Sequence, residues 1–250
     1  MMNFTGREES LNFLEKTWKL EKTRIICLYG RRRVGKTELV YQFTSGKEVL
    51  LFEGLEGEET EAQIQHFLSQ MARLFKEPHL ADLRYKTWSQ VFDLLTQKIF
   101  EKKEVVVFLD ELPWMAAGRG KLVSLLKYYW DQKWKTHPHL LLILCGSVAT
   151  WMVKNVVHSK ALYGRVSHSL LLEPLKPFEV AAYIGKKRGQ KEIMEYLLCF
   201  GGIPKYLEEF DFNKSIQINI DETCFRKTGF FVEEAQKIWP GPLVLTGKPN

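Results

Sequence analysis

Between the apolar run Ile25 to Tyr29 and a helix-period segment lies Gly30-Arg31-Arg32-Arg33-Val34-Gly35-Lys36-Thr37, a match to the spacing G-x-x-x-x-G-K-[ST]. Its two glycines permit a turn tight enough for several backbone N–H groups to converge on one anion, and a helix starting straight after adds its positive dipole end. The spacing predicts that Lys36 reaches the β- and γ-phosphates of a nucleotide and that Thr37 ligates Mg²⁺. For Arg31, Arg32 and Arg33 residue type leaves two readings open, contact with phosphate or exposure to solvent.

A second polar constellation follows the apolar run Val105 to Leu109, which ends in Asp110 and Glu111. A strand beside the first would deliver Asp110 to the outer shell of the Mg²⁺, with Glu111 placed to orient and deprotonate a water attacking the γ-phosphate. Ser147, after the run Leu140 to Cys145, falls where open α/β sheets bind ligands, and either senses the γ-phosphate or caps a helix starting at Ala149. Arg165 precedes a further strand. It is expected near the open rim of the site, supplying positive charge to the transition state in cis or to a neighbour, with a surface salt bridge as the alternative.

The elements that must position these residues follow from periodicity. Strands are predicted at 23–29, 49–52, 105–109, 140–144 and 167–172, alternating with helical segments at 35–43, 58–75, 88–100 and 122–134. In 58–75 the apolar set is Ile64, Phe67, Leu68, Met71 and Leu74; in 88–100 it is Val91, Phe92, Leu95 and Ile99. Such alternation builds a parallel sheet covered by helices. After Pro174 and Pro177 strand signals stop, and helices are predicted at 178–187, 192–200, 205–210 and 216–238. The expected division is a nucleotide-binding core over 1–175, a helical lid over 176–238, and an extended tail over 239–250, where three prolines and two glycines fall.

Bulk properties exclude several classes. A chain of 250 residues with 45% hydrophobic side chains can bury a core, so disorder is excluded as a description of the whole. The net charge of +6 permits weak contact with polyanions, but no groove-reading motif accompanies it, so nucleic acid stays a partner without motif support. Cys27, Cys145, Cys199 and Cys224 show no paired spacing and read as small buried hydrophobes kept reduced. No leader or membrane-length apolar run is present, and the protein reads as cytoplasmic. His66, His137, His139, His158 and His168 lack metal-ligand spacing and read as surface or packing residues, as do Trp130 and Trp134 for packing.

With these residues in place, the sequence resembles the archaeal-type ATPase family, found also in bacteria and grouped with the AAA+ and STAND classes of P-loop NTPases. The resemblance runs through Phe4-Thr5-Gly6-Arg7-Glu8-Glu9, then Tyr29 to Leu39 including Glu38, then Phe108 to Trp114. It continues in Gly146-Ser147, Leu162-Tyr163-Gly164-Arg165, Leu175 to Glu179 and Gly201-Gly202-Ile203-Pro204-Lys205-Tyr206-Leu207. It covers roughly residues 3 to 235. It implies a three-layer αβα fold with a parallel five-stranded sheet in the order 5-1-4-3-2 and a small C-terminal helical lid. It also implies that Gly6, Arg7 and Pro204 belong to segments that close over adenine. For Gly201 to Pro204 the residues themselves predict a helix C-cap and a proline-started helix, which is compatible with a base contact. Relatives usually continue past Gly229-Phe230-Phe231 into a winged-helix segment, so the resemblance reads this chain as truncated.

The expectation is an ATP-binding protein that hydrolyses ATP with Mg²⁺. Its rivals are a slow nucleotide-dependent switch and a DNA-associated ATPase module, with an unidentified protein partner or self-association in each case.

Overall fold

The computed structural model describes residues 4–118, 121–185 and 188–238. Five short apolar runs pair side by side as strands β1 (Arg24–Tyr29), β2 (Val49–Glu53), β3 (Val105–Asp110), β4 (Leu140–Gly146) and β5 (Val166–Leu171). All the pairings are parallel and the order across the sheet is β2-β3-β4-β1-β5. Read from the other edge, this is the expected 5-1-4-3-2. Every residue of β3 and β4 is buried, as continuous Val/Leu/Ile runs demand when helices cover both faces. At the edge, β5 keeps Ser167, His168 and Ser169 exposed, so polar side chains interrupt its apolar pattern.

Helices α1 (Glu8–Trp18), α2 (Lys36–Thr44), α3 (Thr60–Phe75), α4 (Trp88–Phe100), α5 (Leu112–Met115), α6 (Leu122–Gln132) and α7 (Ala149–Met152) belong with this sheet. Ile64, Phe67, Leu68 and Met71 of α3 and Val91, Phe92, Leu95 and Ile99 of α4 are all buried, each contributing about 1.5–3 kcal/mol of transfer free energy. Their rings interlock with strand and helix neighbours: Phe67 stacks on Phe52 at 3.9 Å, and Phe92 meets Tyr129 and Trp134 edge-on. Leu74, the last member of the expected stripe, is exposed.

By internal contacts, Arg7–Glu173 form one compact unit, and residues 4–6 with 174–238 form a second. The second contains α8 (Pro177–Ile184), α9 (Gln190–Phe200), α10 (Pro204–Leu207), α11 (Ile216–Ile220) and α12 (Phe230–Ile238). Its core gathers Val180, Ile184, Tyr196, Leu207, Phe210 and Ile216, with Asn219 Nδ2 donating to the Tyr196 hydroxyl at 2.8 Å.

Several local expectations are corrected. The single helix expected over 216–238 is broken: a π turn follows α11 at Asp221–Phe225, and the chain turns at Gly229 before α12. Thr223 Oγ1 donates back to Asn219 O at 2.7 Å, the type of contact that bends helices, and Lys227-Thr228-Gly229 supplies no apolar face to continue one. The helix expected over 205–210 stops at Leu207, and α6 ends at Gln132 before a separate 3₁₀ turn, Trp134–Thr136. Helix α1, the short α5 and a 3₁₀ turn at Pro78–Asp82 had no counterpart in the periodicity reading. Cys27 and Cys145 are buried, and burial pushes the Cys27 thiol up to about 12, but Cys199 is exposed and Cys224 half-buried. The expected tail over 239–250 lies outside the described residues.

Candidate phosphate-binding site

Gly30 opens the loop at the end of β1 because nothing larger fits: a Cβ there would fall on the carbonyl oxygen of Leu172, whose own N–H donates to Tyr29 O at 2.7 Å. The loop then turns through two left-handed residues, Arg33 (φ 70°) and Gly35 (φ 87°), before α2 begins at Lys36. Arginine at that φ is strained by about 1 kcal/mol or more, so tertiary contacts must hold the turn.

Lys36 is 6% exposed, and its Nζ donates to Gly30 O at 3.1 Å and Arg31 O at 3.0 Å. The loop's own carbonyls therefore centre the ammonium, and among the described residues no carboxylate pairs with it. An ammonium carries three donors, so one remains for an anionic oxygen. Thr37, one residue on, donates from Oγ1 to Asp110 Oδ2 at 2.6 Å.

That hydrogen bond spans the sheet. As the order 5-1-4-3-2 requires, β4 runs between β1 and β3, with Tyr29 in register with Gly146 and Leu109 with Leu144. Asp110 reaches Thr37 because the intervening strand ends in small residues, Cys145 and Gly146. Asp110 is itself 5% exposed, and its Oδ1 accepts the Glu111 N–H at 2.9 Å. Burial, then the charge of Asp110, holds Cys145 well above the ordinary thiol range, so it stays protonated beside the carboxylate.

Glu111 adopts a left-handed backbone (φ 48°) between the end of β3 and the start of α5. Its Oε2 accepts from both the N–H (3.0 Å) and the Oγ (2.9 Å) of Ser147. Ser147 therefore does not cap α7, which begins without a side-chain cap. It holds the second carboxylate of the site.

The arginines divide. Arg32 lies over the Trp114 ring, 5.3 Å from its centroid, and pairs with Glu56, both charges largely exposed. Arg31 is exposed and contributes its carbonyl to Lys36. Arg7, 8% exposed at the head of α1, donates from Nη2 to Val34 O at 2.9 Å. Glu38 stands in the first turn of α2. In the second unit Gly6 (φ 76°) packs against Glu179, and Pro204 is the first residue of α10 after Gly201 ends α9, as the residues alone predicted.

Arg165 is the clear displacement. It precedes β5 and so sits at the amino-terminal edge of the sheet, whereas Gly30, Asp110 and Gly146 end their strands at the carboxyl edge. Six-residue strands separate the two edges by roughly 15–20 Å. There Arg165 forks onto Asp131 at the end of α6, Nε to Oδ1 at 2.7 Å and Nη2 to Oδ2 at 2.8 Å, and this pairing holds the Asp131 carboxyl well below its usual range. Placement near the open rim is corrected, and a cis contact with γ-phosphate is excluded by distance.

Sequence reasoning passed over Glu53. The sheet order puts its strand beside β3, with Glu53 in register with Asp110. Burial, then the charges of Asp110 and Glu111, raises its carboxyl pKa. The signal that would have found it is the position just past the predicted second strand, next to the strand bearing Asp110.

Fold and loop together define a P-loop α/β nucleotide-binding domain. Residues 4–210 match the family described as an ATPase domain predominantly from Archaea, and the chain belongs to that family. An uncharacterized protein of Methanocaldococcus jannaschii is 28% identical over 206 residues, which is 82% of this chain and 44% of the relative, so the chain spans under half of that protein's length. The Walker-type ATPase of Pyrococcus abyssi shares the fold at a TM-score of 0.67 and 22% identity, over 94% of this chain and 75% of that one. A signal transduction ATPase with numerous domains and a tetratricopeptide repeat sensor, from Pyrococcus horikoshii, aligns at a TM-score of 0.56 and 18% identity, over 96% of this chain and 33% of that one. Among the described residues no helix is long and apolar enough to cross a membrane.

Proposed function

We propose that the chain binds ATP with Mg²⁺ at the loop Gly30 to Thr37 and hydrolyses it. The observation that carries this reading is the 2.6 Å bond from Thr37 to Asp110, which joins the phosphate loop to the carboxylates while Lys36 stays apart from both acids. A hydroxyl ligand with a carboxylate behind it suits Mg²⁺, which keeps waters and substrate oxygens in its other positions. Thr37 and Asp110 would hold the ion, and when bound it supplies neutralisation of the β- and γ-phosphate charge.

The chain's own residues do the rest. Lys36 and the loop amides bind the phosphates. Glu111 accepts a proton from water as the water oxygen bonds to the γ-phosphorus and the bond to the bridging oxygen breaks, releasing ADP and phosphate. Ser147 fixes the Glu111 carboxylate through two hydrogen bonds.

The same Ser147 contacts favour a second reading, a slow switch of the STAND type, because a carboxylate oxygen engaged by two donors must leave or share them to act on water. Glu111→Gln separates the readings. Under hydrolysis the variant binds ATP as the parent does and loses about 10²–10⁴-fold in single-turnover rate. Equal measurable rates in variant and parent would remove Glu111 as base and give the water to another residue, whereas a parent that retains bound nucleotide with no measurable turnover would leave the switch.

A further inference from the structure

We infer that Arg7 is a positioning residue for the phosphate loop, holding it in its phosphate-binding shape through the carbonyl of Val34. The inference rests on the ATP reading for its ligands but not for its geometry.

The contact falls where the loop most needs support. Val34 lies between Arg33 and Gly35, the two residues of the loop with left-handed backbones at φ 70° and 87°. Its side chain is fully buried, and its carbonyl accepts from Arg7 Nη2 at 2.9 Å. The peptide that carries Val34 O also carries the Gly35 N–H, and no described peptide bond is cis. In a planar trans peptide the C=O and N–H point to opposite sides. Pinning the oxygen therefore fixes the direction of the Gly35 N–H, one of the amides available to an anion. A cationic donor on the oxygen also polarises the peptide and strengthens that N–H as a donor.

Arg7 is built for the task. It is 8% exposed and its own backbone is left-handed at φ 64°, a conformation that directs the side chain from the start of α1 toward the loop at a cost an unconstrained arginine would avoid. A guanidinium presents a rigid planar fork, so the bond has a defined direction that a lysine ammonium would not give.

Two variants of the full chain test this. Arg7→Asn tolerates the left-handed backbone and Arg7→Gly relieves it, so both are expected to keep the parental fold, checked by melting temperature. Titration with ATP and with inorganic tripolyphosphate, each with Mg²⁺, should show both ligands weakened by a common factor of roughly tenfold, because the loop is affected and the base is not. Hydrogen exchange in the nucleotide-free protein should speed up in both variants at Leu39, whose N–H donates to Gly35 O at 3.0 Å and so reports the end of the loop. Loss of ATP affinity alone would assign Arg7 to base or ribose and overturn the inference. Unchanged exchange at Leu39 would also overturn it, even alongside parallel affinity losses, since those would then report a direct phosphate contact. If the parent binds neither ligand, the ATP reading fails, while the exchange measurement still decides the role of Arg7.

Discussion

The two edges of the sheet treat charge in opposite ways. At the amino-terminal edge opposite charges meet: Arg165 and Lys127 both close on Asp131, and Lys102 reaches Glu48. At the carboxyl edge, the exposed Arg32–Glu56 pair aside, they are kept apart. Lys36 is held by carbonyls, Asp110 by a hydroxyl and an amide, Glu111 by a serine, and Glu53 is driven against its two acidic neighbours. An edge whose charges cancel contributes stability, while one that holds a cation and three acids unpaired with each other fits the binding of a polyanion and a cation proposed for it.

The largest effect expected from breaking this contrast is at Lys36. Lys36→Ala should weaken ATP by about ten- to a hundredfold, the worth of a charge-assisted phosphate contact, with the fold retained. Unchanged affinity by calorimetry in a folded variant would make the carboxyl edge as inert as the other. Asp110→Asn comes next: it keeps a side chain of the same shape and loses the charge, so affinity should fall about tenfold with Mg²⁺ present and much less in chelator. Equal losses in both conditions would detach Asp110 from the cation.

Much of this contrast was legible in the sequence, and the reason is local. The loop from Gly30 to Thr37 and the strand-end acids are fixed by contiguous residues, and Val/Leu/Ile runs declare buried strands without ambiguity. The expected misreadings concern long-range placement. That Arg165 belongs to the opposite edge follows from which end of β5 it precedes and from a partner, Asp131, 34 residues away. That Ser147 serves Glu111 and not a helix cap depends on the left-handed turn at Glu111, which no residue type announces. The break near Gly229 was a competition between apolar periodicity and local side-chain bonding, and the latter prevailed.

At the amino-terminal edge the expected effect is on stability. Arg165→Ala should leave turnover of dilute protein unchanged and lower the melting temperature at neutral pH. Asp131 has a depressed pKa in the folded state, so its contribution is present above the usual 3.8 and is lost as the pH falls through the folded value. The parent and Arg165→Ala should therefore converge in acid. Measuring turnover across protein concentrations sharpens the comparison: a rise in the parent that the variant lacks would make this edge a donor to a neighbouring subunit's site, and parallel curves would confine it to stability.

The smallest effect, and the one with the opposite sign, is at Glu53. Its carboxyl pKa is raised above the ordinary 4.5 by burial and by Asp110 and Glu111, so the folded state disfavours its ionised form. The penalty is absent below the unfolded pKa and complete above the folded one. Glu53→Gln should then raise the melting temperature at neutral pH and leave it unchanged near pH 4 and below. Because the carboxyl is only partly desolvated and its charges are screened by solvent, the gain should stay within about 0.5 kcal/mol. The strand end itself should not move, since Gln70 holds the Glu53 backbone through both its N–H and its carbonyl at 2.9 Å. A bound cation would relieve the same repulsion in the parent, so the thermal shift produced by Mg²⁺ with nucleotide should be smaller in Glu53→Gln than in the parent. A melting gain that is equal at pH 4 and pH 7 would show that charge is not its origin and would take Glu53 out of the acidic edge.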